Sequence, residues 1–133
     1  MVTAEMKTFV TYVSMAEVSV KAPLTVQVRD MACGAAVSRL PVSLSKKDDT
    51  NQWETIEEGI TTSDGVVSMM QTKSLKQDSL YKLRAQTSSY FGNMGSKSSF
   101  PFIEVVFEID NDRPNIFILL NISPFGYNVT VEI

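Results

Sequence analysis

Residues 115–133 read NIFILLNISPFGYNVTVEI. From residue 127 onward the stretch alternates: Asn128, Thr130 and Glu132 are polar, while Val129, Val131 and Ile133 are apolar. A period of two puts these sets on opposite faces of a β-strand, one toward solvent or a partner and one toward a core. The run before it, 116–122, is built of Ile, Phe, Leu and Asn and also reads as a strand. The stretch holds no His, Cys, Arg or Lys, so it lacks the side chains that most often move protons or hold anions.

Working outward, the same rhythm recurs. Residues 24–29 (LTVQVR) set Leu24, Val26 and Val28 against Thr25, Gln27 and Arg29, a half-buried strand. A turn around Gly34 follows, then a strand at 41–46 (PVSLSK), a polar turn at 47–51 (KDDTN) and a strand at 53–58 (WETIEE). Ser63-Asp64-Gly65 is a strong turn signal ahead of a strand at 66–70, and 80–85 (LYKLRA) is the fifth strand. Residues 87–94 break the rhythm as a short helix, with Thr87 and Ser88 as caps and Gly92 and Gly95 as terminators. A strand at 102–109 (FIEVVFEI), a turn at 110–114 and strands at 116–122 and 127–133 complete the chain. Eight closely spaced strands with one small helix predict an all-β antiparallel sandwich or barrel. Trp53 and Tyr81 are expected to be structural, with Phe102, Val106 and Leu120 in the core.

Composition narrows the function. The 133 residues suit one core, divided here into an N-terminal arm, 1–21, and a domain, 22–133. Twelve basic residues against 15 acidic ones, net −3, are scattered along the chain, which argues against nucleic acid. No apolar run approaches the roughly 18 residues that span a bilayer, so no membrane is expected. Cys33 is the only cysteine. It allows no intrachain disulfide and fits a cytoplasmic protein, with peroxisomal or secreted as alternatives. The absence of histidine excludes Ser-His-Asp and Cys-His sites and the commonest metal ligand. Asp110 and Asp112 lack the glycine and glutamate of a calcium loop. No metal or cofactor is expected. The triplets Asn121-Ile122-Ser123 and Asn128-Val129-Thr130 match a glycosylation acceptor but fall inside strands.

The order of blocks PLTVQVRDMACG, Trp53, TTSDG, YKLRAQTSSYF, FPFIEVVFEID and LLNISPFGY resembles the transthyretin and 5-hydroxyisourate hydrolase family over residues 22–133. SPFGY is similar to the hydrolase form. The resemblance implies an eight-stranded two-sheet antiparallel sandwich with one short helix, assembled as a homotetramer, a dimer of dimers, around a central channel. The last strand would pair with its copy across the dimer, with Asn128, Thr130 and Glu132 lining the channel.

The family hydrolase opens the ring of 5-hydroxyisourate, a product of urate oxidation, with activated water. The resemblance implies a site made of a His, an Arg, a second His and a terminal Tyr-Arg-Gly-Ser. In this sequence those positions fall on Gln27, Val66, Phe117 and Thr130-Val131-Glu132-Ile133. Gln27 and Phe117 cannot take a proton near neutral pH, and Val66 and Val131 cannot hold an anion. Strand alternation assigns Gln27, Arg29, Val66, Phe117, Leu119, Asn121, Asn128, Thr130 and Glu132 to the channel. Three readings follow. Arg29 and Glu132 pair with each other across the dimer-dimer contact, filling the channel as structure; or the channel is a small-molecule site with Arg29 as anion anchor; or slow hydrolysis persists with Arg29 in place of the lost arginine. A pseudoenzyme of purine metabolism and a non-catalytic binding or scaffold protein are the two functional classes.

Overall fold

The computed structural model describes residues 10–12, 23–71, 74–109 and 115–132. The turn expected at 110–114, and Ile133, lie outside them, as does most of the arm. The elements are β1 (Val10–Tyr12), β2 (Leu24–Asp30), β3 (Ala35–Ala36), β4 (Pro41–Lys47), β5 (Trp53–Ile60), β6 (Val66–Met69), β7 (Ser79–Ala85), α1 (Thr87–Asn93), β8 (Ile103–Ile109), β9 (Ile116–Ser123) and β10 (Gly126–Glu132). All eight strands expected from the alternation are present. β1 and β3, at three and two residues, are additions too short to carry a readable period.

Two sheets face each other across the core. The first runs β1-β10-β9-β2-β3, with β6 also paired to β2; the second runs β5-β4-β7-β8. β6 lies beside Leu24–Gln27 and β3 beside Arg29–Asp30, so the two share one side of β2. Most pairings are antiparallel, but β2 runs parallel to β9 and β1 parallel to β10. β2 and β9 are separated in the chain by the whole second sheet, so no hairpin fixes their relative direction.

The core is filled from both sheets by Leu24, Val26 and Val28 of β2, Ile118, Leu120 and Ile122 of β9, Leu44 of β4, and Tyr81 and Leu83 of β7. Leu120 and Tyr81 are buried as expected. Phe102 and Val106 are not core residues. The register of β8 on β7 sets Phe107 beside Tyr81, Val105 beside Leu83 and Ile103 beside Ala85, so Ile103, Val105 and Ile109 enter the core and Phe102, Glu104 and Val106 point outward. Apolar residues on both faces of FIEVVFEI left the phase of this strand open in the sequence. Trp53 is half-buried on the outer face, with the Lys82 ammonium 4.7 Å from its ring centre.

Local chemistry explains the turns. In the β4–β5 turn, Asp48 Oδ1 accepts from the Thr50 hydroxyl at 2.6 Å and from the amides of Thr50 and Gln52 at 2.9 Å each. These bonds, the hydroxyl foremost, hold its carboxyl below the usual value. Gly65, at φ +75°, closes the Asp-Gly turn ahead of β6, and a Cβ there would stand 2.6 Å from the Val28 carbonyl oxygen. That close approach lets the Val28 amide donate to the Gly65 carbonyl at 2.8 Å and seats β6 against β2. In α1 the cap is Gln86, with no side-chain cap bond; Thr87 is buried inside the first turn rather than capping it. The helix is held to β2 by the Tyr90 hydroxyl, which donates to Asp30 Oδ2 at 2.8 Å.

Candidate functional site

The outer face of the first sheet is laid down by alternation. Leu24, Val26 and Val28, like Ile118, Leu120 and Val129, are committed to the core, so their neighbours along each strand point the other way. Register then stacks those neighbours into rows. Ser68, Thr25, Phe117 and Glu132 form one; Val66, Gln27, Leu119 and Thr130 the next; Arg29, Asn121 and Asn128 the third. Every residue assigned to the channel from the sequence is on this face. Val131, the position of a family arginine, is not: it packs against the core. Thr25 and Ser68 belong to the face as well; the alternation of LTVQVR already grouped Thr25 with Gln27 and Arg29.

The rows differ in depth. Arg29 is exposed, and Val66, Gln27, Leu119, Asn121, Asn128 and Thr130 are half-buried. The first row is buried at Thr25, Phe117 and Glu132, with Glu132 only 2% exposed. Asn121 Nδ2 donates to Asn128 Oδ1 at 3.0 Å, and Asn128 Nδ2 contacts Met31 Sδ at 3.6 Å. Thr25 Oγ1 and both carboxylate oxygens of Glu132 have no hydrogen-bond partner among the described residues. Burial pushes the Glu132 carboxyl above its ordinary value, because the charged form loses its water.

Within one chain Glu132 does not reach Arg29; the pairing expected from the sequence lies between chains. The two sit two strands apart and four residues out of register, roughly 13 Å along the strands and about 10 Å across them. The face therefore carries a cation at one end, amides and an apolar strip of Leu119 and Val66 in the middle, and a buried acid at the other end. Among the described residues no cluster of His, Cys, Asp or Glu could hold a metal ion. Exposed apolar side chains rim the Arg29 end, Met31 at 44% and Phe125 at 77% exposure. Cys33 is exposed in the turn after β2.

The sequence profile of the HIUase/Transthyretin family matches residues 24–130, from the first residue of β2 to within three of the chain's last. The chain belongs to the HIUase/Transthyretin family. Relatives come from both of its named branches. A transthyretin of Aquarana catesbeiana is 26% identical over 118 residues, covering 88% of this chain and 77% of the relative. The 5-hydroxyisourate hydrolase of Mus musculus is 32% identical over 106 residues, covering 79% and 90%. Among solved structures, sea bream transthyretin in complex with thyroxine superposes with a TM-score of 0.77 at 26% identity, covering 83% of this chain and 94% of that one. A second structure, transthyretin from Sparus aurata, gives 0.73 at 25% identity, covering 83% and 96%. HIUase/Transthyretin membership thus fixes the sandwich and leaves the activity to the residues of the site.

Proposed function

We propose that this chain is a non-hydrolytic member of its family that binds a small anionic molecule on the outer face of the first sheet. The observation that carries this reading is the chain's complete lack of histidine, combined with what stands on the face instead. Opening a cyclic amide with water needs a base to take the proton and a cation to hold the developing oxyanion. Gln27 and Phe117 cannot act as the base. Glu132 has a carboxyl raised by burial, but Arg29 is four residues out of register with it, so within one chain base and cation do not converge on one reacting atom. Binding asks for less: an anion anchor, orienting amides and an apolar wall. Arg29, the Asn121–Asn128 pair with Gln27, and Leu119 with Val66 supply these in adjacent rows. The anionic group goes to Arg29 and the apolar body lies along the second row.

Two copies of the sheet, facing each other, enclose the ligand in a dimer of dimers; the exposed Met31 and Phe125 at the rim suit such a contact. The hydrolase reading keeps one specific support, the 32% identity to the mouse 5-hydroxyisourate hydrolase. On that reading the chain would act in purine metabolism, with Arg29 serving the substrate.

Thyroxine, the ligand in the sea bream complex, is a suitable probe because it joins a carboxylate to a large apolar body. Titration calorimetry of the purified protein should give saturable binding, weakened about tenfold by Arg29→Ala, as for the loss of one charge-assisted hydrogen bond. Binding unaffected by Arg29→Ala, or absent at millimolar thyroxine, contradicts the proposal.

A further inference from the structure

The outer edge of β10 is occupied. β1 lies along it in parallel, with Val10 beside Val129, Thr11 beside Thr130 and Tyr12 beside Val131. An uncovered edge strand offers a row of unpaired amides and carbonyls to any other strand, and natural sheets guard such edges with short strands, charges or covering segments. β10 is a strong template. It has seven residues, pairs with β9 over all of them, and carries β-branched Val129, Thr130 and Val131 at its centre.

We infer that Val10–Tyr12 is a displaceable guard on this edge: it occupies the backbone groups that the β10 strand of a second copy of this chain needs for edge-to-edge pairing. The inference rests on the assembly that the family resemblance implies, in which the last strand pairs with its copy across the dimer.

The guard is built to be removable. It is three residues long, and a parallel ladder is slightly less stable per residue than an antiparallel one. The competing pairing is longer, since β10 offers seven residues to its own copy in the twofold, antiparallel arrangement that a closed dimer requires. What favours the guard is its tether. Eleven residues separate Tyr12 from the start of β2, and a short linker gives an effective concentration on the order of millimolar. The guard wins at low protein concentration, and the second copy wins when the guard is removed or the protein is concentrated.

Three chains test this: the full chain, a variant lacking residues 1–12, and full-length Thr11→Pro, in which a ring replaces one amide of the guard without changing chain length. Sedimentation across a concentration series gives self-association, and amide exchange at low concentration reports residues 129–131. Both variants should associate at about tenfold lower concentration than the full chain. Their amides at 129–131 should exchange faster when dilute and regain protection when concentrated. Equal association by all three chains, with unchanged exchange, overturns the guard while leaving assembly intact. All three chains monomeric throughout overturns the second copy as competitor, and the failure then belongs to the assembly reading.

Discussion

Two buried glutamates sit on opposite outer faces of the sandwich. Glu104, on β8, is 1% exposed, and its Oε2 lies 3.5 Å from the Lys82 ammonium and 3.8 Å from the Arg84 guanidinium. Those cations are themselves seated on aromatic rings, Lys82 on Trp53 and Arg84 at 3.7 Å from the centre of Phe102. Glu132, on β10, is 2% exposed and faces no cation and no donor among the described residues. Removing a carboxylate from water is unfavourable unless partners replace the water. The second sheet meets part of that requirement within its own face, by placing two cations beside one carboxylate oxygen of Glu104. The first sheet does not meet it at Glu132, and Arg29, the one cation on that face among the described residues, is exposed at the far end. An unbalanced face costs stability and is retained where a partner completes it, which is why the binding proposal belongs to the first sheet.

The largest effect expected from breaking this contrast is at Glu104. Glu104→Ala removes a buried side chain and leaves Lys82 and Arg84 facing each other without their acid. Arg84 is 38% exposed, so water screens part of the repulsion. A loss of about 2 kcal/mol in chemical denaturation is expected, and an unchanged midpoint would mean that the ion pairs contribute nothing.

A third buried acid, Asp30, offers an intermediate case. It is 1% exposed, and its two oxygens accept from the Ala32 amide at 2.8 Å and from the Tyr90 hydroxyl at 2.8 Å. Tyr90→Phe deprives one oxygen of its donor and should cost about 1–2 kcal/mol. Burial first, then the bond to Asp30, push the Tyr90 phenol from 10.0 up to about 12. A phenol raised in the folded state contributes stability that is intact below 10 and lost as pH rises toward about 12. Ultraviolet titration should show one tyrosine ionising late, and that transition should disappear in Tyr90→Phe.

At Glu132 the sign reverses and the effect is smaller. Glu132→Gln removes a charge that nothing balances, so the variant should be more stable than the parent at neutral pH. The parent's carboxyl is raised by burial, so the folded state holds the proton longer than the unfolded one. The parent should lose stability as pH rises past the ordinary carboxylate value, and the glutamine variant should not show that decline. Melting curves between about pH 4 and 8 decide it; a less stable Glu132→Gln would mean that the carboxylate has a partner after all.

The strands were legible because one face of each is apolar and the other is not. Gln27, Arg29, Asn128 and Thr130 could be assigned to one face from the period of two alone. Where both faces are apolar, as at 102–109, the phase was set by pairing with β7 and could not be read; hence the misplacement of Phe102 and Val106. β1 and β3 were too short to show a pattern. Alternation also says which way a side chain points and nothing about depth or position along the sheet. The burial of Glu132 and its separation from Arg29 both come from register, which depends on partners distant in sequence.

The most direct test of the binding reading is the decay of freshly generated 5-hydroxyisourate, followed by ultraviolet absorbance with the no-protein rate subtracted. General base catalysis by a positioned side chain contributes about 10²–10⁴-fold. Lacking that base, the purified chain should accelerate decay by less than a hundredth of the rate of the mouse hydrolase under the same conditions. Acceleration within about tenfold of that enzyme would show that a histidine-free face can carry the reaction, and would contradict the assignment of this sheet to binding alone.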